Sequence, residues 1–282
     1  MTEFPLKGID HTLVGVRDLE AARETWQRLG FTVTPRGRHI GWGTANYCIM
    51  FEQGYIELLG IVDASLFTNN LDKFLETREG LMGLAFASDD PEATKARLLA
   101  AGLHPDGPKD LKRLLELPEG TVVPEFRLLY LPKEETPDLS AFVCCHLTPE
   151  LVRRPGWTRH PNGASGLAEI TIIVEEPQRS AQGYAPYFGR DAIAAAAGDA
   201  RVSSPQGAIR FMTREAYGSR FGGAIPGGAL PFPAAMTLAC QSLAKTGAFL
   251  RLQGLRIEKS AEGKLFLPAN EANGTLLEFS AS

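Results

Sequence analysis

Apolar and polar positions along the chain fall into a repeating order of elements. Residues 7–17, Lys-Gly-Ile-Asp-His-Thr-Leu-Val-Gly-Val-Arg, are largely apolar and β-branched and predict a buried strand. Asp18 then stands at a helix N-cap position. Leu19, Ala22, Trp26 and Leu29 recur at helical spacing, and Gly30 supplies the stop. Three short strands are expected to follow, at 31–36, 44–51 and 54–62, separated by glycine-bearing turns. The order is βαβββ.

The same order returns. Residues 80–89 predict a strand, Asp90 caps a helix with Pro91 at its first position, and that helix, over 92–101, stops at Gly102. The registers agree: His11 lies 19 residues before Gly30, and Gly83 lies 19 before Gly102. A third copy opens with a strand at 166–174, continues through a helix at 178–188 and stops at Gly189. A fourth runs from a strand at 234–240 through a helix at 242–253 to Gly254, and ends in a strand at 275–279. A curved βαβββ sheet cannot bury its concave face alone, but two side by side form a cup. The expected fold is therefore α+β: four tandem βαβββ modules paired into two cups. The boundary falls in the Pro/Gly-bearing stretch 152–166, leaving a site-bearing domain over 1–155 and a second, degenerate one over 166–282.

Composition narrows the classes. In 282 residues, 44% hydrophobic and 22% charged describe a packed globular protein, and 29 Lys and Arg against 33 Asp and Glu give a formal charge of −4. No basic surplus points to nucleic acid or an anionic membrane surface, and no stretch approaches the ~18 apolar residues of a spanning helix. The opening segment Met1–Gly8 has no apolar run behind a basic one, so a cytoplasmic location is expected. Cys48, Cys144, Cys145 and Cys240 form no Cys-x-x-Cys pair, and the neighbours Cys144 and Cys145 are poorly placed to bridge, so reduced, buried cysteines are expected.

Candidate chemistry concentrates in the first half. In a paired cup, cavity-facing residues come from the first and fourth strands of each unit. In the first unit these strands carry His11 and Glu57; in the second, Gly83 takes the place of His11, and the last strand, 141–146, ends in His146. His11, Glu57 and His146 make a two-histidine, one-carboxylate set suited to divalent Fe, Mn, Ni or Zn, with positions left for water or substrate. A carboxylate inside an apolar strand is expensive to bury unless paired or metal-bound, which singles out Glu57. His39 is a candidate general acid/base, with Thr44 and Asn46 beside it as substrate-binding groups. Trp157 and His160 are expected to cover the cavity mouth or to order the linker, and Arg153 and Arg154 to meet an anionic group or end a solvated helix.

The second cup reads as structural. Glu169 falls at the place of His11, Glu278 near that of Glu57 and Ala235 at the remaining first-strand position, and no histidine follows His160. There is no Gly-x-x-x-x-Gly-Lys-Ser/Thr loop, no Gly-x-Ser-x-Gly elbow and no His-Glu-x-x-His helix. Gly41-Trp-Gly43 lacks the third glycine of a dinucleotide fingerprint.

Five stretches carry a resemblance to a known family: Gly8-Ile-Asp-His-Thr-Leu-Val-Gly15, Arg38-His-Ile-Gly-Trp-Gly-Thr-Ala-Asn46, Gly54-Tyr-Ile-Glu-Leu-Leu59, His146–Trp157 and His160-Pro-Asn-Gly-Ala164. Over residues 6–165 the chain resembles the vicinal oxygen chelate superfamily, which includes glyoxalase I, extradiol dioxygenases and several antibiotic-resistance proteins. Within it the chain is most similar to the glyoxalase-like domain family. Over 166–282 the likeness is architectural. The resemblance implies metal ligands at His11 and Glu57, with His146 as a third, and lyase, isomerase or dioxygenase chemistry on a small oxygenated organic substrate, in a protein that can form a homodimer. Gly83, where metal enzymes of the superfamily commonly place a second histidine, and Arg153, in place of an aromatic residue, depart from the pattern. The alternative these departures favour is a metal-free protein of the same fold that binds or sequesters a ligand.

Overall fold

The computed structural model describes residues 4–281; the first three residues of the opening segment and Ser282 lie outside it. The first unit is built as its pattern dictates. Strand β1 (Ile9–Gly15) leads to helix α1 (Leu19–Arg28), whose first turn is closed by the Asp18 carboxylate accepting from the Ala21 N–H at 2.9 Å. Strands β2 (Gly37–His39), β3 (Thr44–Met50) and β4 (Tyr55–Ile61) follow.

One expectation shifts here. The second strand lies at 37–39 rather than 31–36. Thr34 meets Cys48 through one backbone bond and its own hydroxyl, the Thr32 N–H turns to a histidine ring, and Pro35 has no N–H to give, so no ladder forms. A short helix, α2 (Leu71–Thr77), then leads into the second unit.

That unit comprises β5 (Gly80–Ser88), α3 (Pro91–Ala100, capped by Asp90), the long β6 (Asp106–Leu117) with its hairpin partner β7 (Gly120–Val122), β8 (Glu125–Tyr130) and β9 (Ala141–His146). The one-turn helix α4 (Pro149–Val152) ends this half. The third unit is β10 (Ala164–Ile173), helices α5 (Pro177–Gln182) and α6 (Ala185–Phe188), then β11 (Ile193–Ala196), β12 (Asp199–Ser203) and β13 (Ala208–Met212). The single helix expected over 178–188 is two short ones broken at Gly183. Helix α7 (Arg214–Arg220) precedes the fourth unit: β14 (Phe232–Cys240), α8 (Leu243–Leu252), β15 (Glu258–Lys259), β16 (Leu265–Leu267) and β17 (Leu276–Ala281). All four glycines expected to end unit helices, Gly30, Gly102, Gly189 and Gly254, adopt positive φ.

Strand pairing repeats as the units do. β1 runs parallel to β4 and antiparallel to β5, which is parallel to β9; β10, β13, β14 and β17 are related in the same way. The first sheet orders its strands β2-β3-β4-β1-β5-β9-β8-β6-β7, and β2 also pairs with β6, so eight of them close into a barrel. The second sheet, β11-β12-β13-β10-β14-β17-β16-β15, stays open as a cup. The outer faces of the two sheets share one apolar core, which runs from Val14, Trp26 and Phe86 to Ile172, Tyr187 and Leu277. Phe86 packs against Tyr187 and Phe188 at ring distances of 6.1 and 5.5 Å, and Trp26 donates to Asn273 at 3.1 Å. No helix of the described residues is long and apolar enough to cross a membrane. All four cysteines are buried.

Candidate functional site

Inside the barrel lies a cavity of about 90 Å³. It is placed by the alternation of the strands: Thr44 and Asn46 on β3, Tyr55, Glu57 and Leu59 on β4, Leu111 and Arg113 on β6, and Phe142 and Cys144 on β9 all point inward. On β1 a bulge between Ile9 and His11, set against β5, turns both Asp10 and His11 toward the interior. Tyr55 stacks on the His11 ring at 4.3 Å and fixes its plane.

His11 Nδ1 lies 2.7 Å from Asp10 Oδ2. Burial by itself would raise the Asp10 pKa, but the facing rings of His146 and His11 hold that carboxyl well below the usual carboxylate range. Asp10 is thus an acceptor, and His11 Nδ1 carries the proton. In the neutral ring the other nitrogen, Nε2, would present its lone pair to Glu57 Oε2, 3.6 Å away. Two acceptors facing each other repel unless a cation sits between them. The separation is longer than an N–H···O bond and close to that of two ligands each about 2.1 Å from one ion. An outer carboxylate fixing the histidine tautomer is the usual support of a metal ligand. The donor pair therefore fits a divalent ion.

His39 approaches Glu57 from the other side, its Nε2 3.9 Å from Oε1, while its Nδ1 is tied to the Thr44 hydroxyl at 2.8 Å. Burial holds His39 below its ordinary pKa, with Arg113 acting in the same direction and Glu57 opposing, so the ring is neutral near pH 7. Glu57 accepts from Asn46 Nδ2. Burial would raise its pKa; His11, His39, Asn46 and Arg113 bring it below the ordinary value, and it is ionised.

The sequence-derived residues separate into two groups. His11, His39, Thr44, Asn46 and Glu57 all line the cavity. His146, Trp157 and His160 do not. Leu13 pairs with both Gly83 and Glu57 and Ala85 pairs with both His11 and Phe142, so Phe142, not His146, holds the place of Glu57 in the second unit. His146 closes β9 outside the cavity lining, with its Nε2 3.0 Å from Asp10 Oδ2. Trp157 packs against Cys48, Met50 and Tyr55 and against the cluster containing Val152, beneath Arg154 at 5.7 Å. His160 is clamped between the Thr32 N–H and the Met50 carbonyl, so it orders the chain between the sheets. The other basic pair also has protein partners: Arg154 meets Glu119, and Arg153 donates to the Glu52 carbonyl with Asp10 3.9 Å away.

Gly83 admits no ligand, because a Cβ there would lie 2.5 Å from the Ser140 carbonyl oxygen; the neighbouring Met82 lines the cavity instead. Asp10, Cys144 and His146 bring donor atoms within 4.8 Å of one another. Within this group, Asp10 is shared by His11 and His146 through hydrogen bonds, and burial pushes the Cys144 thiol well up. In the second cup, Glu169 and Glu278 occupy the expected places, with Glu278 paired to Thr237 as Phe142 is to Ala85. Arg220 of α7 lies between them, joined to Glu169 at 3.2 Å and to Glu278, with Arg201 also on Glu169 at 2.7 Å and Lys264 3.8 Å from Glu278, so side-chain cations occupy the place between the carboxylates.

Two site residues escape sequence reasoning. Asp10 sits in a quoted motif, but only the bulge reveals its direction. Arg113 is hidden in the charged run Lys109–Glu116, where only the strand register shows which residues face inward.

Comparison with known proteins agrees with this architecture. None of the curated proteins matches the chain. Among solved structures, a hypothetical protein from Staphylococcus aureus superposes with a TM-score of 0.69 at 13% identity, covering 97% of this chain and 99% of the other. A triple mutant of 4-hydroxymandelate synthase from Streptomyces coelicolor gives a TM-score of 0.62 at 10% identity, covering 98% and 92%. A fusion of a xylose isomerase-like TIM barrel with 4-hydroxyphenylpyruvate dioxygenase gives 0.58 at 13% identity, with 98% of this chain covering 49% of that one. At these identities the likeness is one of fold. The family model described as a glyoxalase-like domain matches residues 9–188, which span the whole barrel and the start of the second cup. Repeat, register and profile converge: the chain belongs to the glyoxalase-like domain family of the vicinal oxygen chelate superfamily.

Proposed function

We propose that the barrel cavity is the active site of an enzyme acting on a small oxygenated organic molecule, with His11 and Glu57 holding a divalent metal ion. The observation that carries this reading is that His11 Nε2 and Glu57 Oε2 face each other 3.6 Å apart inside the cavity while Asp10 holds His11 Nδ1. The ion, Fe, Mn, Ni or Zn, would act as a Lewis acid toward substrate oxygens. His39 Nε2, neutral and free of the bond its Nδ1 makes, takes up or returns the proton, which suits lyase or isomerase chemistry. Asn46 keeps the Glu57 carboxylate aimed, and the walls of Leu13, Leu59, Leu128 and Phe142 keep bulk water out.

Elemental analysis of protein purified without chelators tests the reading. About one equivalent of a transition metal is expected in the wild type, and far less in His11→Ala. Less than about a tenth of an equivalent, unchanged by the substitution and not restored by added metal, rejects it. That outcome would favour the second reading, a metal-free ligand-binding protein, which is supported by the blocked position at Gly83 and the apolar Phe142 in the place of a carboxylate.

A further inference from the structure

The cavity holds one strong cation that makes no direct ion pair and whose donors the chemistry above does not use. Arg113 is only 5% exposed and lines the cavity from β6. Among the described residues no carboxylate oxygen comes within 4.0 Å of its guanidinium. Its one polar partner is the Cys48 sulfur, 3.4 Å from Nη1, a weak acceptor, and its buried Nε has none. The other buried arginine among the described residues, Arg220, is treated differently: it meets both Glu169 and Glu278. Glu57 acts on Arg113 only through space, and a buried guanidinium with no direct hydrogen-bonded anion is costly, which leaves its donors available to an incoming one.

The surroundings define that anion. Arg113 faces His39 across the β2–β6 pair that closes the barrel, and it lies 5.4 Å from the centre of the Phe126 ring. The remaining wall is apolar, from Leu111, Leu128, Tyr130 and Phe142. A planar guanidinium binds a carboxylate through two parallel hydrogen bonds, whereas a phosphate dianion would need more donors and a second cation. A cavity of about 90 Å³ limits the size of what enters.

We infer that the substrate is a small organic monocarboxylate, its carboxylate on Arg113, its apolar body against the Phe126–Phe142 wall and its reacting carbon toward Glu57 and His39. This deepens the reading above and rests on the barrel cavity being the active site.

The test compares the binding of butyrate and 2-oxobutyrate with that of neutral butanamide and of inorganic phosphate, by calorimetry, on protein as purified and with its metal content recorded. Wild type is expected to bind the acids about tenfold or more tightly than the amide. Arg113→Gln should bring that ratio near one, and Arg113→Lys should keep part of it. His11→Ala should lose metal yet retain the preference for butyrate, so failure of the metal reading and failure of this one are told apart. Equal binding of acid and amide by wild type, no binding of either acid, tighter binding of phosphate, or a preference that survives Arg113→Gln would each overturn the inference. The wild-type comparison decides it even if the Arg113 variants do not fold.

Discussion

At the scale of single residues, the cavity is organised by which ring nitrogen each histidine leaves free. Asp10 takes Nδ1 of His11, Thr44 takes Nδ1 of His39, and both Nε2 atoms turn to the two oxygens of Glu57. The sequence made these residues conspicuous for one reason: a histidine or glutamate inside an apolar strand needs an explanation. It could not show which neighbour each would take. His146 looks equivalent to Glu57 when strands are aligned by eye, yet it lies four residues beyond Phe142, the true counterpart, and ends on Asp10. The burial of His39 gives a direct expectation. Its ring signals in an NMR titration should move with a midpoint below the ordinary value of about 6.5, so that the neutral form prevails at pH 7. A midpoint above 6.5 would mean that Glu57 outweighs burial and would remove His39 as a proton acceptor.

At the scale of elements, helix boundaries were well marked, because Asp18 and Asp90 are caps and the glycines after each helix are stops. Short strands were less legible. The three-residue β2 is held by pairing on both sides, with β3 and with β6, and such non-local pairing leaves little trace in a local pattern. The segment before it is fastened by His160, which accepts from the Thr32 N–H at 3.1 Å and donates to the Met50 carbonyl at 3.0 Å. Made together, the two bonds require the neutral ring with its proton on Nε2; protonation would break the Thr32 bond and leave that to Met50. Burial holds the His160 pKa down against the Met50 bond, so the unfolded chain takes up the proton first as pH falls. Its contribution to stability should be complete above pH about 6.5 and should diminish below it, down to the lowered folded value. Urea denaturation at pH 7.5 and pH 5.5 checks this: His160→Ala should cost about 1–3 kcal/mol at the higher pH and less at the lower. An equal cost at both would show that the ring titrates alike in the folded and unfolded chain.

At the scale of the whole molecule, the repeat was readable because four strand–helix–glycine signatures recur, and the pairing registers confirm their equivalence. What the pattern could not show is how the second cup manages two inward glutamates. Arg220 comes from α7, a helix absent from the predicted elements, and its partners Glu169 and Glu278 are distant in sequence. The trio is structural, and breaking it should be severe. Arg220→Met removes the cation that both carboxylates share, leaving Glu169 to Arg201 and Glu278 to the Thr237 hydroxyl and the more distant Lys264, and should destabilise the protein by about 3–5 kcal/mol in equilibrium denaturation. The loss should shrink if Glu169→Gln and Glu278→Gln accompany it. No rescue by the triple replacement would mean that Arg220 acts through packing rather than charge.

The core shared by the two sheets has a consequence for how this protein tolerates sequence change. Val14 and Phe86 behind the first cavity touch the same apolar mass as Ile172 and Tyr187 behind the second cup. In a saturation mutagenesis experiment, substitutions in residues 166–282 should therefore reduce how much folded protein accumulates while leaving the behaviour of each surviving molecule unchanged. Changes at Arg113, Glu57 or His39 should do the reverse. On the proposed function, the half whose inward glutamates meet Arg220 should set the quantity of the protein, and the other half its quality.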